Sequence, residues 1–128
     1  MKAQKPSELE TQVLSVLWER GPSTVRDVRG AMPDGKKRAY TTVLSVLQVM
    51  ERKGLVKHRA RGRAHVYEPA VTRSQVLHPM LRGLVENVFG GSASAAVQHL
   101  LQGSDVSEAD MLEIRALLDR MERDTEEE

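Results

Sequence analysis

The apolar residues of this 128-residue chain change their spacing at Gly54. Ahead of it they recur every three or four positions; behind it they alternate as far as Pro69 and then return to helical spacing. A buried helix face needs a period near 3.6 and a half-buried strand a period of 2. The chain is therefore constrained to helices, one short β segment, and helices again.

Ser7-Glu8-Leu9-Glu10 forms a capping box, in which the serine hydroxyl and the glutamate carboxylate each take an orphan backbone N–H. It opens a first helix whose apolar row Leu9, Val13, Leu14, Val16 and Leu17 runs to Arg20, where Gly21-Pro22 stops it. Ser23 is expected to cap a short second helix reaching Met32, with Val25, Val28 and Met32 inward. Pro33-Asp34-Gly35 is turn chemistry. A third helix is predicted over Ala39–Lys53, with Tyr40, Val43, Val46, Leu47 and Met50 facing the core and Gly54 supplying the left-handed cap. Alternation from Leu55 to Ala60 and from Ala64 to Glu68, on either side of Arg61-Gly62-Arg63, predicts a β-hairpin with Gly62 at its tip. Three helices followed by a hairpin is the element order of a winged helix-turn-helix.

The second half is wholly helical in pattern. A helix is expected from Thr72 to Val88, with Pro79 kinking it or starting it afresh. Phe89-Gly90-Gly91-Ser92 breaks it, a fifth helix spans Ser94 to Gln102, and Ser107 with Asp110 opens a sixth. Glu126 to Glu128 read as a disordered acidic tail. The fold class is thus mainly α with a small hairpin wing, divided into a winged-helix domain at 1–70 and a three-helix region at 71–128. So short a region cannot enclose its own apolar helix surface. Val76, Leu77, Met80, Leu81, Leu84, Val88, Phe89, Leu100, Leu101, Ile114, Leu117, Leu118 and Met121 are accordingly assigned to a homodimer interface; the alternative is a lid folded onto the first half.

Charge divides at the same boundary. Residues 1–70 hold 14 Lys and Arg against 7 Asp and Glu, whereas residues 71–128 hold 5 against 11, although the whole chain is only +1. The basic residues gather at the third helix and hairpin: Lys36, Lys37, Arg38, Arg52, Lys53, Lys57, Arg59, Arg61 and Arg63. A charge run is ordinarily a solvated surface, but this one flanks a candidate recognition helix and occupies a candidate wing, which points to duplex DNA. Thr41, Thr42, Leu44, Ser45 and Gln48 are the expected base contacts: glutamine suits adenine, hydroxyls donate or accept, and methyl-bearing side chains suit the thymine methyl. Lys36, Lys37, Arg38, Arg52 and Lys53 are expected on phosphates, and Arg61-Gly62-Arg63 on the backbone or in a minor groove. Two other uses of such a fold stay open: a protein-interaction module without specific DNA binding, and a nonspecific architectural DNA binder.

Other function classes lack their residues. The chain has no cysteine, which removes disulfides, thiolate metal sites and cysteine nucleophiles. His58, His65, His78 and His99 lack zinc-site spacing, and there is no glycine-rich phosphate loop, so no enzyme, metal or cofactor is expected. Trp18 and Tyr40 read as core-edge residues rather than stacking platforms. No apolar run reaches the roughly 20 residues of a membrane span, and Met1 to Pro6 lack the apolar stretch of a signal peptide. The expected location is cytoplasmic, without membrane insertion.

Four stretches, LETQVLSVLW (9–18), AYTTVLSVLQVMERKGLV (39–56), GRAHVYEP (62–69) and FGGS (89–92), resemble the penicillinase-repressor family of BlaI and MecI, to which CopY-type copper repressors also belong. The resemblance implies a bacterial winged-helix repressor, dimeric through its C-terminal helices, acting on a pseudo-palindromic operator near β-lactam-resistance or other stress-response genes. It also implies release of repression by a sensor protease or a small-molecule inducer. The CopY-type cysteine hook is missing here. Some β-lactam-responsive members are cleaved at an Asn-Phe bond, and His99-Leu100 stands at that place.

Overall fold

The computed structural model describes residues 3–103 and 105–127. Its elements are α1 (Glu8–Arg20), β1 (Ser23–Thr24), α2 (Val25–Gly30), α3 (Tyr40–Arg52), β2 (Val56–Arg61), β3 (Ala64–Pro69), α4 (Arg73–Val88), α5 (Ala93–Gly103) and α6 (Glu108–Glu127). They divide into two compact units, Met1–Leu81 and Arg82–Glu128, with α4 contributing to both.

The local signals do what their chemistry dictates. Ser7 Oγ accepts from the Glu10 N–H at 3.1 Å and Glu10 Oε1 accepts from the Ser7 N–H at 2.8 Å, which starts α1. At the end of α3, Leu55 N–H donates to Met50 O at 2.9 Å and Gly54 N–H to Glu51 O at 3.0 Å, while Gly54 takes φ +82°. This is a Schellman termination, closed by apolar contact between the buried Met50 and Leu55. It turns the chain into β2, where the period changes. β2 and β3 pair antiparallel from Val56↔Pro69 to Arg61↔Ala64 across a two-residue turn. Gly62 has φ +64° and Arg63 a negative φ, the pattern of a type II′ turn.

The core of the first unit is aliphatic apart from the buried ring of Tyr67: Val13, Leu14, Val16 and Leu17 from α1, Val25 and Val28 from α2, Val43, Leu47 and Met50 from α3, with Met32, Leu55 and Val56. Burial of each larger side chain contributes on the order of 2 kcal/mol. Trp18 sits at its edge and donates from Nε1 to Val71 O at 3.0 Å.

Several expectations are corrected. Thr24, not Ser23, caps α2: its hydroxyl accepts from Asp27 N–H, and Asp27 accepts from Thr24 N–H, both at 3.1 Å. Ser23 belongs instead to β1, which pairs with Tyr67 and Val66 and makes β3 the central strand of a three-stranded sheet. α2 ends at Gly30, and Met32 reaches the core from the following turn. Tyr40 is 51% exposed rather than inward, because it opens α3 one turn before the core row begins at Val43. α4 is a single helix from Arg73 to Val88 with Pro79 inside it, so no new helix starts there. Thr72 caps it in a box with Gln75, Thr72 Oγ1 accepting from Gln75 N–H at 3.1 Å and Gln75 Oε1 accepting from Thr72 N–H at 2.9 Å. Val76 is buried in the first unit's core, with Leu77 and Met80 packed against it, so these apolar side chains are used within one chain. Finally, α6 stays helical through Glu127, replacing the expected tail at Glu126 and Glu127; Glu128 lies outside the described residues.

In the second unit, Ser92 Oγ caps α5 by accepting from Ala95 N–H, and Ser107 with Asp110 caps α6. Neither α5 nor α6 has a buried residue. Among the described residues, no helix is long and apolar enough to cross a membrane.

Candidate nucleic-acid interface

α3 is held from behind and bare in front. Val43, Leu47 and Met50 lie on one row in the core. Half a turn round, Thr41, Ser45, Gln48 and Arg52 follow one another at spacings of four, three and four, and all are exposed. Thr42 is exposed beside this row. Leu44 is not: it lies on the flank, partly buried against the core, so burial satisfies much of the side chain expected on a thymine methyl. Tyr40, expected inward, becomes an exposed aromatic at the leading end of α3. Its only sequence signal is that it precedes the core row by a full turn.

The basic residues separate into two classes that composition cannot distinguish. Lys53 is drawn away from the surface: its Nζ donates to Glu10 Oε1 at 2.6 Å, with side chains 26% and 7% exposed. Burial pushes the Glu10 carboxyl up, but hydrogen bonds from Lys53 and Ser7 and the lysine charge outweigh it and hold it below its ordinary value. Arg38 forks onto Asp34, Nη1 to Oδ1 at 3.1 Å and Nη2 to Oδ2 at 2.6 Å. That fork, with the Lys36 N–H, holds the Asp34 carboxyl at about 2. Both cations organise the protein. Lys36, Lys37, Arg52, Arg61 and Arg63, in contrast, make no salt bridge among the described residues and are exposed.

Cross-strand partners share a face of the sheet. The register therefore places Lys57, Arg59 and Arg61 on one face of the hairpin, opposite Glu68, Val66 and Ala64. Lys57 Nζ lies 3.8 Å from Glu68, whereas Arg59 and Arg61, two residues apart, make no salt bridge among the described residues. Arg59 is a further candidate that the expectation centred on the hairpin tip did not include; the i, i+2 alternation Lys57, Arg59, Arg61 is its signal. The other face carries His58 and His65, stacked with centroids 4.5 Å apart, and His58 Nδ1 is 2.6 Å from Glu51. Gly62 at the tip has open space where a Cβ would stand.

Loop, helix and wing thus present cations around a polar row of hydrogen-bonding side chains, an arrangement matched to a phosphate backbone and base edges. Among the described residues, no group of three or more His, Cys, Asp or Glu side chains is placed to hold a metal ion.

The remaining candidate residues lie further along. Leu81, Leu84, Val88, Leu100, Leu117, Leu118 and Met121 are exposed, while Phe89, Leu101 and Ile114 are half-buried. His99 and Leu100 are both exposed on α5, and the His99 ring is 5.2 Å from that of Phe89.

Comparison with known proteins fits this architecture. The transcriptional regulator BlaI of Mycobacterium tuberculosis is 37% identical over 113 residues, covering 87% of this chain and 82% of that one. The penicillinase repressor of Bacillus licheniformis is 20% identical over 113 residues, covering 88% of each chain. The solution structure of the DNA-binding domain of the repressor BlaI superposes with a TM-score of 0.51 at 25% identity, over 57% of this chain and 89% of that one. The family is one of transcriptional repressors, not enzymes. A family model described as penicillinase repressor matches residues 6–120, and the chain, a winged helix with a helical C-terminal unit, belongs to that family.

Proposed function

We propose that this chain is a DNA-binding transcriptional repressor that acts as a homodimer on an inverted-repeat operator. The observation that carries the reading is the exposed row Thr41, Ser45, Gln48 and Arg52 on α3, bordered by Lys36, Lys37, Arg59, Arg61 and Arg63, which have no salt-bridge partner among the described residues. In this reading α3 enters a major groove, with Thr41, Thr42, Ser45 and Gln48 on base edges and Arg52 at its C-terminal end on a phosphate. The wing lies on the neighbouring backbone. Leu84, Val88, Leu100, Leu117, Leu118 and Met121 meet their counterparts in a second copy, which removes apolar surface that one chain leaves in water. Two-fold symmetry then dictates half-sites about one helical turn or a small multiple apart. Membership of the penicillinase-repressor family supports a role in the β-lactam response, with another stress response as the alternative. A sensor protease or a small-molecule inducer is the proposed means of release, and His99-Leu100 in place of Asn-Phe weighs against cleavage at that bond.

The test is selection of duplexes by the full chain from a random library, followed by gel shift at moderate salt with nonspecific competitor. An inverted repeat that resists competition is the expected result. In that assay Gln48→Ala and Ser45→Ala relax preference at particular base pairs, by about 1–3 kcal/mol each. Recovery of no preferred sequence assigns the fold to protein interaction or nonspecific packaging instead.

A further inference from the structure

The three residues between β3 and α4 are each held by a different partner. Ala70 N–H donates to Leu55 O at 2.9 Å, Val71 O accepts from Trp18 Nε1 at 3.0 Å, and Thr72 closes its box with Gln75. The first residue of α4 is then caught by α1 from two sides. Arg73 Nη2 donates to Glu19 Oε1 at 3.0 Å, and the Arg73 guanidinium carbon stands 5.5 Å from the centre of the Trp18 ring. Three residues further on, Val76 is buried in the core, with Leu77 and Met80 packed against it. All of these residues belong to the first unit.

This latch adds little to folding stability, because the Arg73 and Glu19 side chains are 51% and 73% exposed and contacts so exposed are weak. What it can fix is direction. A helix held at one buried point tilts about that point, and a second hold at its first residue removes the freedom. The lever is long: from Val76 to Val88 is about 18 Å of helix, so a tilt of about 10° moves the far end by about 3 Å, close to the rise of one base pair, about 3.4 Å. We infer that Trp18, Glu19 and Arg73 are positioning residues that set the direction of α4 on the winged helix and thereby the half-site spacing that a homodimer accepts. The inference rests on the homodimeric DNA-binding reading and deepens it: α3 selects the bases of each half-site, and the latch selects the distance between them. Trp18 supplies the geometry, since its own hydrogen bond to Val71 O fixes the plane on which the guanidinium rests. Arginine suits the place because its flat fork stacks on one face while donating at its edge.

The experiment measures binding of the full chain, by fluorescence anisotropy, to the inverted repeat recovered from the random library and to versions with one base pair added or removed between the half-sites. Each such change shifts a half-site by about 3.4 Å and turns it by about 34°. Wild type is expected to prefer the recovered spacing. Arg73→Ala and Glu19→Ala are expected to shrink that preference by about five-fold, while base preference within each half-site, the salt slope and the melting temperature stay near wild type. Arg73→Lys keeps a cation against both partners and is expected to retain more of the preference than Arg73→Ala. Glu19→Ala separates the latch from a direct phosphate contact. If Arg73 served a phosphate, loss of the neighbouring carboxylate would strengthen binding at every spacing and Arg73→Ala would lower the salt slope by about one, and either result overturns the assignment. A spacing preference unchanged in both alanine variants overturns it, as does an equal loss at every spacing. The DNA-binding reading fails separately, if the wild-type chain selects no sequence, and the dimer reading fails if it selects a lone half-site.

Discussion

Lys53 and Arg52 are neighbours of like charge at the end of α3, yet Lys53 is paired with Glu10 while Arg52 is exposed with no salt-bridge partner among the described residues. Lys53→Met keeps the aliphatic stem and deletes the ammonium that pairs with Glu10 at 2.6 Å. Breaking a fully buried ion pair from one side costs about 3–5 kcal/mol, because the remaining charge has lost its partner. Here Glu10 is 7% exposed but Lys53 is 26% exposed, so water reaches part of the vacated site and the cost falls to about 2 kcal/mol. For a unit of this size, that lowers the melting temperature by about 8–16 °C. The salt slope of DNA binding, measured on folded protein, stays unchanged. Arg52→Met does the reverse: it removes an exposed cation with no salt-bridge partner among the described residues, lowers the slope by about one and leaves the melting temperature near wild type. Urea and thermal unfolding by circular dichroism give the stability arm, and fluorescence anisotropy against salt gives the binding arm.

Acid provides a second readout of the same pair. Glu10 titrates below its ordinary value of 4.5 in the folded chain, so the stabilisation is complete above 4.5 and is lost as pH falls through the folded value. In Lys53→Met the upward push of burial is no longer opposed by the lysine. Glu10 then protonates more readily, and the deficit of the variant shrinks towards acid pH. Adding Glu10→Gln to Lys53→Met recovers part of the loss, since no unpaired charge remains. A full unit lost from the salt slope of Lys53→Met with no change in melting temperature refutes the assignment: Lys53 would then be on DNA and Glu10 would have no buried partner.

Gly62→Ala forces a Cβ into a backbone at φ +64° and is expected to cost about 1 kcal/mol, read as a lower urea midpoint; no change would mean that the turn relaxes freely. The Asp34 carboxyl should titrate at about 2 by carbon NMR, and Asp34→Asn should weaken DNA binding by releasing Arg38 and the loop. Because that folded value lies below the ordinary 3.8, the stabilising effect of Asp34 holds above 3.8 and fades only as pH falls through about 2. A midpoint near 3.8 would show the fork to be unformed. Leu118→Asp, at an exposed position of α6, should convert a dimer to a monomer by sedimentation without loss of helical signal, and a dimer that persists would remove α6 from the interface.

The sequence alone determined the elements whose signals close within a turn of chain. The Ser7–Glu10 box, the Gly54 termination, the Gly62 tip and the apolar rows of α1 and α3 depend on partners three to five residues away, and spacing encodes such contacts directly. It also determined the segregation of basic residues to the first half. Tertiary structure alone decided which of those cations are free. Lys53 meets a carboxylate 43 positions earlier, Trp18 meets a carbonyl 53 positions later, and Ser23-Thr24 become a strand only because Val66 and Tyr67 arrive beside them. Val76 is buried only because α4 begins against the core. Composition counts a lysine as positive wherever it stands. Whether that charge faces DNA or cancels a buried glutamate is set by distances through space, which residue spacing along one helix does not contain.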